Sequence, residues 1–301
     1  MRWAVVWLAR GVDAVAAEFA AVGVTGRVHV RDVDDDRSQV ALDADERVVL
    51  ASVFKVLLVL EYARQVVAGQ LDPTERVRVG AADRLGGVGT AGCENEVDIS
   101  WRDLAMFAMS LSDNTAADLL LRRVGLDTVQ TLTTELGLAS TRITGGPRQL
   151  VASMFADLGA ADEAEFAAIF PALRAEQLAG LTVLDPRRTS ATTPRDMTRL
   201  LSLIWRDQAG PAPACAQVRR LMSQQVSWHR LAAGFDDEVA VAAKSGTVLG
   251  VRNEIGVVRY PDGRRYAVAV FTSDGWGVRR PDVDRAIGRA ARHAVDRLRN
   301  G

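Results

Sequence analysis

One lysine interrupts the apolar run Leu50-Ala51-Ser52-Val53-Phe54-Lys55-Val56-Leu57-Leu58-Val59-Leu60. An unpaired ammonium is costly to bury, so Lys55 needs a partner or a task. Ser52 stands three residues earlier, which on a helix puts both side chains on one face. A hydroxyl at a helix N-terminus also sits beside free backbone N–H groups and the positive end of the helix dipole. Ser52 therefore reads as a nucleophile and Lys55 as the base that takes its proton, provided burial and a second cation lower the lysine pKa. The same four residues also fit a plain N-cap serine and a lysine reaching the surface.

Two further stretches carry polar groups at helix and strand ends. In Ser110-Leu111-Ser112-Asp113-Asn114-Thr115-Ala116-Ala117, Asp113 suits a helix cap. Ser112 then offers a hydroxyl and Asn114 an amide for a substrate carbonyl. Ala243-Lys244-Ser245-Gly246-Thr247 closes an alternating apolar stretch. A lysine there, followed by small residues, suits an open strand edge along which a substrate lies.

The elements that must hold these groups follow from periodicity. Helical patterns cover about 3–21 and dominate from Ser52 to about Trp205, with Ser100 and Asp103 forming a capping box. Alternation predicts strands at 28–33, 39–43, 239–243, 254–260 and 265–271, with turns at 34–37 and 261–263. A last helix is expected over 281–298, with Val283, Ile287, Ala290, Ala294 and Leu298 on one stripe. The fold class read from this order is α/β (α+β): an antiparallel sheet flanked by helices, plus an all-helical lobe. The sheet lobe is expected to combine 1–45 and 195–301. The helical lobe is expected at 46–194, and the catalytic cleft between the two.

Composition sets limits. The 301 residues carry a formal net charge of −1, which points away from nucleic acid and anionic membrane surfaces. Two distant cysteines, Cys93 and Cys215, and three scattered histidines give neither a disulfide framework nor a zinc pattern. No cofactor is expected, and the partner is a small-molecule substrate. Oligomeric state is left open. The short apolar N-terminus resembles neither a signal peptide nor a membrane span, so a cytoplasmic protein is expected.

Ser-x-x-Lys, Ser-Asp-Asn and Lys-Ser-Gly in this chain order resemble the penicillin-recognising serine hydrolases, in particular the class A β-lactamases. The resemblance extends through 101–142, through Thr192-Thr193-Pro194-Arg195-Asp196-Met197, and through Arg252-Asn253-Glu254. It implies that Ser52 is acylated and that Lys55 is its base or part of the proton path. It implies that Ser112 passes a proton to the leaving group, and that Lys244 keeps the cleft positive and Lys55 neutral. Ser245, Thr247 and Arg252 would bind a substrate carboxylate. The amides of Ser52 and Thr247 would form the oxyanion hole.

One family feature is missing. The Glu-x-x-Leu-Asn pattern, whose glutamate activates the deacylating water, is not found. After Thr141-Arg142-Ile143-Thr144 come Gly145-Gly146-Pro147 and an inserted, helix-like segment to about 184. Glu163, Glu165 and Glu176 lie in that insert without the family's neighbours, and read as solvated helix faces. Acylation machinery is thus expected complete and β-lactam turnover weak. Two rivals stand beside a hydrolase acylated at Ser52. One is a Ser-His-Asp enzyme using His229, weakened by the lack of a Gly-x-Ser-x-Gly elbow. The other is a penicillin-binding or sensor protein of the same fold that acylates once or not at all. A biosynthetic esterase or peptidase is a further variant of the leading reading.

Overall fold

The computed structural model describes residues 12–277 and 279–300. The first expected helix lies outside the described residues over 3–11 and is present as α1 over 12–20. The chain then runs through β1 (Thr25–Asp32), β2 (Gln39–Leu42), the short β3 (Val48–Val49) and a 3₁₀ turn (Ala51–Phe54) into α2 (Lys55–Val67). A hairpin follows, β4 (Arg76–Val79) with β5 (Val97–Ser100). After it come α3 (Trp101–Ser110), α4 (Asn114–Val124), α5 (Leu126–Glu135), α6 (Pro147–Leu158), α7 (Glu163–Ile169) and α8 (Ala175–Ala179). The short β6 (Ala191–Thr192) precedes α9 (Pro194–Trp205) and α10 (Ala212–Met222). The chain closes with β7 (Ala240–Val248), β8 (Val251–Arg259), β9 (Arg265–Ser273) and α11 (Pro281–Arg299).

The main sheet is antiparallel, in the order β2-β1-β9-β8-β7. β1 and β9 pair from Thr25↔Ser273 to Asp32↔Tyr266, joining the two ends of the chain, and β7 is left as a free edge. Side chains alternate between two cores, as strand geometry requires. On one face Val28, Val30, Val258, Val268 and Val270 pack with Phe19 of α1 and with Val283, Ile287 and Ala294 of α11. On the other, Ile255, Val257, Ala267, Ala269 and Phe271 join the large core built on α2. Because both faces are covered, β8 is buried from Val251 to Val258, its polar Arg252, Asn253 and Glu254 included.

The expected strands and the last helix are present with small shifts at their ends. The span 52–205 is not purely helical, however: β4 and β5 pair within it. Each has only four residues, too few for alternation to stand out. Ser100 ends β5 and caps α3, its hydroxyl accepting from the Asp103 amide. The inserted segment does fold as helices. Its ring pairs, Phe155–Phe166 tilted and Phe166–Phe170 stacked with centroids 5.1 and 5.2 Å apart, give it a small core of its own.

One close approach matters for the site. A Cβ placed on Gly288 of α11 would lie 2.5 Å from the carbonyl oxygen of Arg230. A Cβ on Gly234 would lie 2.2 Å from the Gly288 carbonyl oxygen. Only glycines let the 230–234 segment settle directly on α11.

Candidate active site

Ser52 lies in the 3₁₀ turn that leads directly into α2, whose first residue is Lys55. It is not the helix cap: Leu50 holds that position, and no side chain caps the turn. The simple N-cap reading of Ser52 is thereby corrected, and its hydroxyl is left lining the cleft. The preceding residue, Ala51, has φ 47°, and Ser112 has φ 60°. A left-handed backbone is costly for residues with a Cβ, and such strain gathers where geometry is enforced by the surroundings.

Lys55 is fully buried, so the reading in which it reaches the surface is also corrected. Its Nζ donates to the carbonyl oxygen of Ser112 at 2.7 Å and to Asn114 Oδ1 at 2.9 Å, and lies 3.4 Å from Ser112 Oγ. With Oδ1 turned to Lys55, the Asn114 amide nitrogen is the group left for a substrate carbonyl. Burial first, then the charge of Lys244, drives the Lys55 pKa well below the ordinary lysine value; Asp113 opposes the shift. Asp113 caps α4 through the Ala116 amide. Its other oxygen takes the Thr90 amide and hydroxyl, which ties the 89–92 turn to the helix start.

Lys244 of β7 is equally buried, and its Nζ donates to the Ser245 carbonyl oxygen at 2.9 Å. Burial lowers its pKa to about 7. Glu254 holds it up and Arg230 pushes it further down. Glu254 is itself buried, and burial raises its carboxyl pKa. Thr247 lines the cleft together with Ser52 and Asn114.

Arg252 stands opposite Thr247 in the β7–β8 ladder. It is 6 % exposed and its Nη1 lies 3.3 Å from Asp284 Oδ2 on α11. A second cation at Thr247 is Arg230, which sequence reasoning missed. Its Nη2 donates to Thr247 Oγ1 at 2.8 Å, and its Nη1 to the carbonyl oxygens of Asn253 and Gly246 at 2.8 and 3.1 Å. Its Nε donates to Asp284 Oδ1 at 2.7 Å. No local pattern announces this residue, since its partners lie 16 to 54 positions away in sequence.

The far wall of the cleft comes from the insert and its flanks: Thr144, Gly145, Gly146, Pro147, Gln149 and Leu150. No carboxylate is among the described residues lining it. Glu163 and Glu165 sit on α7 and Glu176 on α8, away from that lining.

A Ser-His-Asp trio does exist in space. Ser227 Oγ lies 3.3 Å from His229 Nδ1, and His229 Nε2 lies 3.7 Å from Asp284 Oδ2. Asp284, however, already neutralises Arg230 and Arg252, so little of its charge remains to stabilise an imidazolium. Burial lowers the His229 pKa, with Asp284 opposing the shift. Cys93 and Cys215 are free thiols, and no cluster among the described residues could hold a metal ion.

The fold and the cleft define a β-lactamase-like protein. Residues 8–298 match the model of the β-lactamase enzyme family, and the chain belongs to that family. It is 29 % identical to the β-lactamase regulatory protein BlaB of Streptomyces cacaoi, over 92 % of this chain and 94 % of that protein. The fold resembles that of a β-lactamase from Sphaerobacter thermophilus (TM-score 0.76, 23 % identity, 97 % of each chain covered). It also resembles PBP-A (TM-score 0.75, 18 % identity, 96 % of this chain and 97 % of that one).

Proposed function

We propose that this chain is a serine hydrolase acylated at Ser52, acting on an amide or ester bond of a β-lactam or another carboxylate-bearing acyl donor. One observation carries the reading: among the described residues, the fully buried ammonium of Lys55 donates its hydrogen bonds to neutral oxygens, from Ser112 and Asn114, one turn from Ser52. A cation so placed loses its proton readily, and the neutral amine is a base beside a hydroxyl. Lys55 takes the Ser52 proton as Oγ attacks the carbonyl carbon. The developing oxyanion is held by the amides of Ser52 and Thr247. Ser112, 3.4 Å from Lys55 Nζ, returns the proton to the leaving nitrogen or oxygen. Lys244 keeps Lys55 neutral. Arg252 and Arg230, with Ser245 and Thr247, receive the carboxylate.

The absence of a carboxylate along the described cleft lining favours a second reading of the later step. Deacylation needs a base that reaches water from a separate direction. Without one, a bulky ring-opened β-lactam stays on Ser52, and the protein acts as a penicillin trap or sensor. The similarity to a protein named as regulatory supports the same reading.

Mixing the protein with excess benzylpenicillin and following intact mass against time separates these cases. The expected result is a long-lived mass increase equal to the intact drug, absent in Ser52→Ala, with continuing turnover of a small nitrophenyl ester. An adduct on another residue sinks the Ser52 assignment. Rapid turnover without an adduct, read with a chromogenic cephalosporin, leaves Ser52 in place and returns the search for a base to Glu163, Glu165 and Glu176.

A further inference from the structure

We infer that Gln225 closes the free edge of β7 beyond Thr247. The site would then accept acyl donors whose leaving group ends there in a carboxylate, and reject those whose leaving group runs on as a polypeptide. This rests on the hydrolase reading above.

The argument starts from the ladder. In an antiparallel pair, alternate residues direct both backbone groups to the neighbouring strand, and the others direct both away from it. The Ser245 amide donates to Gln225 Oε1 at 2.5 Å, not to β8, so Ser245 belongs to the outward set. Thr247, two residues on, belongs to it as well and faces the cleft that Ser52 lines. An extended substrate pairing with Thr247 would meet Ser245 as its next backbone partner. That partner is occupied twice over. Gln225 holds the amide, and Lys244 Nζ holds the carbonyl oxygen at 2.9 Å.

Gln225 is not a side chain that simply swings aside. It is 8 % exposed, and its Nε2 donates to Glu254 Oε1 at 2.6 Å and to the Ser227 carbonyl oxygen at 3.0 Å. The other oxygen of Glu254 accepts from the Leu231 amide. To displace Gln225 would leave buried polar groups unpaired, which opposes displacement. Arg230 donates to Thr247 Oγ1 and Arg252 stands opposite Thr247 on β8, so two cations lie at this same end of the cleft. A chain terminus is matched there, and a continuing chain finds neither ladder partners nor room.

Two donors with one acyl group test the inference: an N-acylglycyl ester of glycolic acid, and the same ester with its carboxylate extended by two alanines. In both, the Ser52 Oγ–carbon bond forms, the ester C–O bond breaks, and the glycolyl oxygen leaves with the serine proton. Acylation rate constants are read by mass spectrometry in wild type, Gln225→Met and Gln225→Ala. The first variant keeps the side-chain length without the acceptor; the second opens the space. Wild type is expected to favour the short donor by about tenfold or more, and both variants to narrow the ratio. Equal wild-type rates overturn the inference and leave the hydrolase reading standing. A ratio unchanged in folded variants overturns the assignment to Gln225. The absence of any adduct or cleaved ester with either donor overturns both the inference and the reading beneath it. The wild-type comparison decides even if a variant fails to fold.

Discussion

Lys55 and Lys244 are both fully buried, and burial drives both ammonium groups toward neutrality. Lys244 adds to the shift at Lys55, so removing it should raise the Lys55 pKa. The base form of Lys55 would then appear only at higher pH. In Lys244→Ala the acid limb of the pH profile for Ser52 labelling is expected to move upward, measured as rate against pH with a neutral ester. A limb that stays put would detach Lys244 from Lys55. Arg230 gives a second prediction. Arg230→Ala should weaken carboxylate-bearing donors more than neutral esters, by roughly 1.5–3 kcal/mol of charged hydrogen bond. Equal losses would remove Arg230 from the carboxylate site. The two lysines were legible in the sequence because each stands alone in an apolar stretch. Arg230 was not, because what defines it is contact with β7, β8 and α11 rather than its neighbours in the chain. Arg252 was legible from its place beside the Lys-Ser-Gly strand, opposite Thr247, and its ion pair with Asp284 was not.

Among the elements, the joint of β1, β2 and α9 is made by a buried histidine. His29 Nδ1 lies 2.5 Å from Thr198 Oγ1, whose hydroxyl also reaches the Arg195 carbonyl oxygen. Nε2 lies 2.9 Å from Gln39 Oε1 and 3.0 Å from Arg195 Nη1. Burial is the main cause that lowers the His29 pKa to about 4. Because the folded value lies below the unfolded 6.5, the folded state holds fewer protons at intermediate pH. The stability this neutral His29 provides is complete above about pH 6.5 and is lost as pH falls toward 4, by about 3 kcal/mol. Urea midpoints of wild type and His29→Gln should therefore converge on acidification across that window. A constant gap would contradict the neutral buried state. Element type was legible wherever a period ran long, as in α2, α11 and the last three strands. The β4–β5 hairpin escaped because four residues carry little period, and the pairing of its two strands is a tertiary fact.

At the scale of the molecule, the core built on α2 reaches across the sheet to Ile255, Val257 and Phe271. We propose that 46–194 forms a helical lobe against a sheet lobe of 1–45 and 195–301, and that this shared core makes the two unfold as one. Far-ultraviolet circular dichroism and tryptophan fluorescence should then give coincident urea transitions. Two separated midpoints would argue for independent lobes. The pairing of β1 with β9 has a consequence during synthesis. Thr25 Oγ1 donates to Asp274, 249 positions further on, so the middle of the sheet closes only after nearly all of the chain has left the ribosome. Until then the hairpin of β1 and β2 waits with one edge bare, while the helices between are already able to collapse. Contacts so distant in sequence slow folding and lengthen the exposure of that edge. A nascent chain stalled before residue 265 is expected to be sensitive to protease at 25–42, and to become protected once β9 emerges.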